Sequence, residues 1–327
     1  MGSLKRSSLT LALWLVLIAA GCAAPPAPAP TATGAPAPGP SQTASPSDTP
    51  TQALAATASS TQGPRIERVL IISMDGFRPD ALDPTRTPIL LGLAARGAST
   101  FSAQTILPSA TLPAHASMLT GYDVEDHGVT WNDYIPANGF ARTTTIFGLA
   151  HDAGYRTVMV VAKEKLVQIA LPGTVDEFIY QPVGDFAIAE IAATKIAEGF
   201  GVLFVHFAGP DAGGHLYGWM SASYLGTMHN TDTAVGRVLD ALEQAGLSET
   251  TLVIVTADHG GHGTVHGSSL PEDTTIPWIL AGPGVSRGLV LQSAVRVFDT
   301  AATAAWALGL PLPTDMDGSP VLEAFGL

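Results

Sequence analysis

The stretch TLVIVTADHGGHGTVHG, Thr251–Gly267, joins two kinds of sequence. Leu252, Val253, Ile254 and Val255 form an unbroken aliphatic run with no polar residue at alternate positions, so a strand made from them is buried on both faces. Strands of that kind belong to largely parallel sheets with helices above and below. Directly after the run come Asp258, His259, His262 and His266, spaced by glycine. The same alternation recurs outward from this stretch. RVLIISM (68–74), RTVMVVA (156–162) and VLFVHFA (202–208) read as further buried strands, while PILLGLAARG (88–97), FAIAEIAATKIAEGF (186–200) and YLGTMHNTDTAVGRVLDALEQAGL (224–247) carry helical periodicity. The pattern predicts an α/β fold with a mostly parallel central sheet and helices on both faces. Such sheets gather their chemistry beyond the carboxyl ends of the strands.

The chain has 327 residues, 46% of them hydrophobic, and a formal charge of -13. That balance argues against nucleic acid or an anionic membrane surface as the main partner, but a small anionic substrate is compatible if local cations reverse the field in one cleft. The only cysteine is Cys22, so disulfides, Cys-ligated metals and a Cys nucleophile in the body are excluded. Residues 1–22 have a basic start at Lys5 and Arg6, an apolar stretch and small residues before Cys22, the layout of a secretory signal. Residues 23–63 are almost entirely Ala, Pro, Thr, Ser and Gly and read as a disordered tether. Residues 64–327 are expected to form one domain.

Polar residues at the predicted strand ends are few and alike: Asp75 after LIISM, Asp211 and His215 in FAGPDAGGHLYG, and Asp258 and His259 after TLVIVTA. An aspartate after a strand commonly caps or turns, and a lone histidine commonly serves a structural hydrogen bond. Three strand ends with the same ligand types instead suggest divalent ions, and the number of donors suggests two. Paired ions suit phosphoryl displacement. A nucleophile is available in ILPSATLPAHASMLTG, where Thr111 stands at a predicted helix start; backbone N–H groups there favour an alkoxide and a phosphoryl group, although a plain Thr N-cap would look the same.

SMDGFRPD, LPSATLPAHASMLTG, HGVTWN, GPDAGGHLYG and TADHGGHG occur in this order from about Arg68 onward, and together they resemble the alkaline phosphatase superfamily, specifically its nucleotide pyrophosphatase/phosphodiesterase (type I phosphodiesterase) branch. The resemblance implies an alkaline-phosphatase-like three-layer sandwich and a two-zinc hydrolase of phosphate diesters or pyrophosphates. It implies a phospho-threonine intermediate on Thr111, one ion held by Asp75, Thr111, Asp258 and His259, and a second held by Asp211, His215 and a later histidine. His266 in HGSSLPEDTTIPWILAGPG has the expected surroundings for that last ligand, with His262 as the alternative. Asn132 matches the asparagine that contacts a non-bridging phosphoryl oxygen. AAGC, ending at Cys22, similarly resembles a bacterial lipobox, implying an exported, lipid-anchored envelope protein.

Two features differ from common members of that branch. Lys163 and Lys165 in AKEKLVQ resemble the lysine pair that phosphonoacetate hydrolases and some phosphomonoesterases of the superfamily present to substrate; a solvated charge run is the plainer reading. Pointed inward, they would suit a second anionic group. Little chain remains for a cap, so the cleft is expected to be open, with residues 131–140 and 217–220 selecting substrate. Trp131, Tyr134, Tyr217 and Trp219 are candidates for stacking or for ordinary packing. A phosphomonoesterase or phosphonate hydrolase, and a surface lipoprotein that keeps the fold without turnover, are the alternatives; the sulfatase segment C/S-x-P-x-R is absent.

Overall fold

A computed structural model describes residues 65–327. The stretches expected to be a leader and a tether, with Cys22, lie outside the described residues.

Among the described residues eight strands form one sheet: β1 (Arg68–Met74), β2 (Ala98–Gln104), β3 (Thr157–Val161), β4 (Glu177–Tyr180), β5 (Val202–Phe207), β6 (Thr251–Thr256), β7 (Thr275–Ala281) and β8 (Leu289–Val290), in the order β4-β3-β5-β1-β6-β7-β2-β8. Only β7 runs against the others, pairing antiparallel with both β6 and β2. The central strands are aliphatic throughout because both faces are covered; β3, β5 and β6 are buried at every position.

The helices are α1 (Pro88–Arg96), α2 (Thr111–Thr120), α3 (Val124–His127), α4 (Ile146–Asp152), α5 (Asp185–Glu198), α6 (Gly209–Tyr217), α7 (Ala222–Gln244), α8 (Pro271–Thr274) and α9 (Asp299–Ala307). α1, α5 and α6 pack on α7 in one layer, while α2, α3, α4 and α9 pack together in another, giving the helix–sheet–helix sandwich expected from the sequence. Among the described residues no helix is long and apolar enough to cross a membrane.

Two local features matter for the site. GPDAGGHLY, which the sequence pattern leaves unassigned, folds as helix α6. Its glycines are demanded by packing: a Cβ on Gly213 would meet Thr227 of α7, and one on Gly214 would meet the rigid Trp219 ring. Thr111 is the first residue of α2 and Ala110 precedes it as the cap, with no side-chain capping bond, so the Thr111 hydroxyl is not spent on its own helix.

Candidate active site

Parallel register sets the site. Val161 of β3, His206 of β5 and Ser73 of β1 are successive neighbours across the sheet, and Ser73 pairs in turn with Thr256 of β6. Two residues further along β3, β1 and β6 stand Lys163, Asp75 and Asp258. A step of two restores the same face of a strand, so the polar groups stand directly above a buried row. Asp211 and His215, one helical turn apart on α6, approach from one side. Thr111, at the amino end of α2, approaches from another.

The Lys163 Nζ lies 2.6 Å from Asp75 Oδ2, 2.7 Å from Asp211 Oδ2 and 3.3 Å from the Thr111 hydroxyl. Lys165 donates to Asn132, at 2.8 Å to its backbone carbonyl and 3.1 Å to Oδ1. Asn132 Oδ1 also accepts from Leu112 N at 2.9 Å, which turns the opposite, donating end of the amide outward. Both lysines therefore point into the site and are not a solvated charge run.

Three carboxylates share one arrangement. Asp75 Oδ2 is held by His206 at 2.9 Å and by Lys163, Asp211 Oδ2 by Lys163, and Asp258 Oδ1 by Gly76 N at 3.1 Å. The second oxygen of each, Asp75 Oδ1, Asp211 Oδ1 and Asp258 Oδ2, is buried without a hydrogen-bond partner. Buried carboxylate oxygens left so are costly unless a cation meets them.

Histidines face those same oxygens. His259 Nε2 is 3.4 Å from Asp75 Oδ1 and 3.3 Å from Asp258 Oδ2, while His215 and His266 place Nε2 at 3.3 and 3.7 Å from Asp211 Oδ1. In all three rings Nδ1 bonds a backbone carbonyl: Gly260 for His259 at 2.7 Å, Thr264 for His215 at 2.9 Å and Ser109 for His266 at 2.9 Å. A carbonyl only accepts, so Nδ1 carries a proton, and in the neutral ring that binds a metal Nε2 presents its lone pair to the carboxylates. Lone pair facing lone pair is repulsive until a positive ion lies between them, and Nδ1 anchoring to a carbonyl is the usual way to fix a metal-binding imidazole. Two groups have ligand atoms within 4.8 Å of one another: Asp211, His215 and His266, and Asp75, Asp211 and His259. The residues fit divalent cations.

His262 is directed elsewhere, bonding Asp273 Oδ1 at 2.7 Å. That aspartate also accepts from the backbone and hydroxyl of Ser268, so His262 braces the loop carrying His266.

Electrostatics follow burial and proximity. Burial pushes the Asp75 carboxyl up, but Lys163 and His206 together hold it well below the ordinary range, while burial and the Asp75 carboxylate drive Asp258 well above it. Lys163 is half-buried, and its loss of water opposes its charge, yet Asp75 and Asp211 raise it above an ordinary lysine; Lys165 is lowered by burial and by Lys163. Burial also lowers His259, and burial together with His259 brings His266 to about 4.

Of the aromatic candidates, Trp219 is interior: its Nε1 donates to Gly76 O at 2.9 Å and its ring lies against Gly214 and Gly261. Trp131 is half-buried and donates to Gln168 Oε1 at 3.0 Å, whereas Tyr134 and Tyr217 are exposed. Gln168 went unnoticed in the sequence. Its buried amide bonds Trp131 together with Ile135 N, Ile135 O and Gly139 O, fastening the loop after Asn132. His115 and His206, buried beneath Asp258 and Asp75, were also missed, although a histidine inside VLFVHF is a visible anomaly in an aliphatic strand.

Comparison with known proteins agrees with this architecture. The chain is similar to bis(5'-adenosyl)-triphosphatase enpp4 of Xenopus laevis, with 26% identity over 59% of this chain and 47% of that protein. It is 23% identical to mouse ectonucleotide pyrophosphatase/phosphodiesterase family member 7 over 63% of this chain and 53% of that one, so the chain spans about half the length of these curated relatives. In fold it resembles murine ectonucleotide pyrophosphatase/phosphodiesterase 5, with a TM-score of 0.67 at 17% identity over 80% of this chain and 99% of that one. It also resembles the phosphonate monoester hydrolase of Silicibacter pomeroyi, with a TM-score of 0.63 at 17% identity over 80% and 77%. The profile of the type I phosphodiesterase / nucleotide pyrophosphatase family matches residues 69–272, more than half of the sequence, and the chain belongs to that family.

Proposed function

We propose that this chain is an exported two-metal hydrolase of phosphate esters or anhydrides that works through a phospho-threonine at Thr111. The observation that carries this reading is the set of three buried carboxylate oxygens without partners, facing imidazole Nε2 lone pairs around one hydroxyl. Asp75, Thr111, Asp258 and His259 would hold one ion and Asp211, His215 and His266 the other, and an all-oxygen-and-imidazole donor set suits zinc. Such ions, when bound, supply positive charge that favours the threonine alkoxide and balances charge on the leaving oxygen.

The chain's own groups do the rest. Thr111 Oγ attacks phosphorus in line and the ester oxygen leaves with its bonding pair, to be protonated as the free alcohol; water then attacks the phospho-threonine and restores the hydroxyl. The outward amide of Asn132 and the Thr111 N–H donate to non-bridging oxygens. The leader and lipobox-like Cys22 support action outside the cytoplasm, on a membrane anchor.

A second reading has its own observation. Lys163 and Lys165 are drawn into the site, and two ammonium groups suit a substrate with a further negative charge, a phosphate monoester or a carboxylate-bearing phosphonate. The test is kcat/KM with zinc for a matched aryl phosphate diester, aryl phosphate monoester and phosphonoacetate, for the parent and for Lys163→Ala. Diester preference unaffected by Lys163→Ala establishes the diesterase. Preference for monoester or phosphonoacetate that falls by roughly 10²-fold in the variant establishes the second reading. Absence of turnover on all three with zinc bound sinks both and leaves a binding protein.

A further inference from the structure

His206 is the one imidazole in the central strands, fully buried on β5 between β1 and β3. An aliphatic residue would continue VLFV at less cost, since a buried ring with unmet nitrogens is penalised. Both nitrogens are met. Ala162 N, just past β3, donates to Nδ1 at 3.3 Å, and Nε2 bonds Asp75 Oδ2 at 2.9 Å. Because a backbone N–H only donates, Nδ1 holds the lone pair and Nε2 the proton. This tautomer is the opposite of the one in His215, His259 and His266, so His206 is set up as a donor to a carboxylate and not as a ligand.

We propose that His206 is a positioning residue: its Nε2–H fixes Asp75 Oδ2 so that Oδ1 alone turns toward His259 and the cation site. The inference rests on the two-metal reading above. Asp75 follows the end of β1 and could rotate about its own side-chain bonds; the second hold on Oδ2, from Lys163, comes on a long flexible stem. His206 is rigid by comparison, being locked by its strand, by Ala162 N and by the edge of the His115 ring, whose centroid is 5.0 Å away. His115 is itself fixed by Ser73 Oγ at 2.8 Å and by the Thr111 carbonyl at 2.8 Å. The effect is a tier of oriented imidazoles beneath the ligands, of the kind that tunes metal sites in general.

The test measures zinc affinity of the full chain by competition with a chromogenic chelator, for the parent, His206→Leu and His206→Gln. Leu fills the space without a donor; Gln can return an N–H toward Asp75. Zinc affinity should fall about 10- to 100-fold in His206→Leu and recover most of that loss in His206→Gln. Parent-like affinity in His206→Leu overturns the proposal. So does an equal loss in both variants with parent-like circular dichroism, since packing alone would then be at work. Independently of any variant folding, the ring ¹⁵N shifts of His206 in the parent should report protonated Nε2 and unprotonated Nδ1, and the reverse assignment overturns the proposal. A parent chain that takes up no zinc overturns the functional reading as well, whereas a zinc-loaded parent with indifferent variants overturns only the role of His206.

Discussion

Thr111 begins a helix without capping it, and this sets its hydroxyl apart from the other threonines among the described residues. Its Oγ lies 3.3 Å from Lys163 Nζ and 3.4 Å from His259 Nε2, at a helix end whose backbone dipoles favour negative charge. If it is the attacking atom, Thr111→Ala should lower kcat by at least about 10³-fold, as removal of a nucleophile does, while Thr111→Ser keeps measurable turnover. Steady-state rates with zinc, set beside a ³²P-labelled substrate trapped by rapid acid quench, check both halves: label should appear on the parent and on Thr111→Ser but not on Thr111→Ala. Retained turnover in Thr111→Ala would remove Thr111 from the chemistry. Residues of this kind are legible in sequence because they end aliphatic runs, where Asp75, Asp258 and His259 stand out against their neighbours. His206 and Gln168 are not, because what gives them meaning is their partner across the sheet or loop, 131 residues away for His206 and Asp75. The sequence favours His266 over His262 only by the HG that precedes a strand and a GP turn; the difference in contacts, Ser109 O at Nδ1 of His266 and Asp273 at Nδ1 of His262, is again supplied by distant residues.

Elements whose signal is local are read well from sequence, and those specified by contacts are not. The aliphatic strands β1, β3, β5 and β6 and the long helices α5 and α7 were plain from periodicity. Helix α6 was not, since three glycines in nine residues argue against a helix in isolation, and only the closeness of α7 and Trp219 explains them. β2 was hidden by alternating small and polar residues, and its partners β7 and β8 lie far along the chain. Between α2 and the short α3 the tie is a histidine. His127 Nε2 donates to Ser117 Oγ at 2.9 Å, and its Nδ1 accepts from Val129 N at 3.1 Å, so the ring is neutral and both nitrogens are used. Burial lowers it to about 4. Between pH of about 6.5 and 4 the unfolded chain therefore binds a proton that the folded chain does not, and acidification through that window favours unfolding. From pH 7 to 5 this one group should cost about 2 kcal/mol. Urea unfolding of the parent and His127→Gln at both pH values checks it. The parent should lose about that much more than the variant, and parallel losses would show that His127 contributes nothing to acid sensitivity.

At the scale of the whole molecule, the sheet brings like charges together and leaves the fold with an electrostatic debt. The chain is already at -13, and Asp75, Asp211 and Asp258 converge in one buried cleft around a single close ammonium, that of Lys163. Burial opposes ionisation of Asp75 and Asp258, and burial together with the neighbouring Asp75 carboxylate drives Asp258 well above the ordinary carboxylate range. Cations should therefore stabilise the folded chain independently of catalysis. A ligand that binds only the folded form at about 100 times its Kd adds roughly 2.7 kcal/mol. For a domain of this size that corresponds to a rise in Tm of about 5 to 10 °C. Calorimetry of the chain stripped with a chelator and then titrated with zinc, manganese or magnesium tests the claim and ranks the ions. The imidazole Nε2 lone pairs predict zinc above manganese and both well above magnesium, which prefers oxygen donors and its own water. The same rise should be lost in Asp211→Asn, whose carboxylate belongs to both ligand groups, while Asp240→Asn on the outer part of α7 should respond as the parent does. A Tm that ignores every divalent ion would mean that the three carboxylates are neutralised by protons and by Lys163, and that the cleft is not a metal centre.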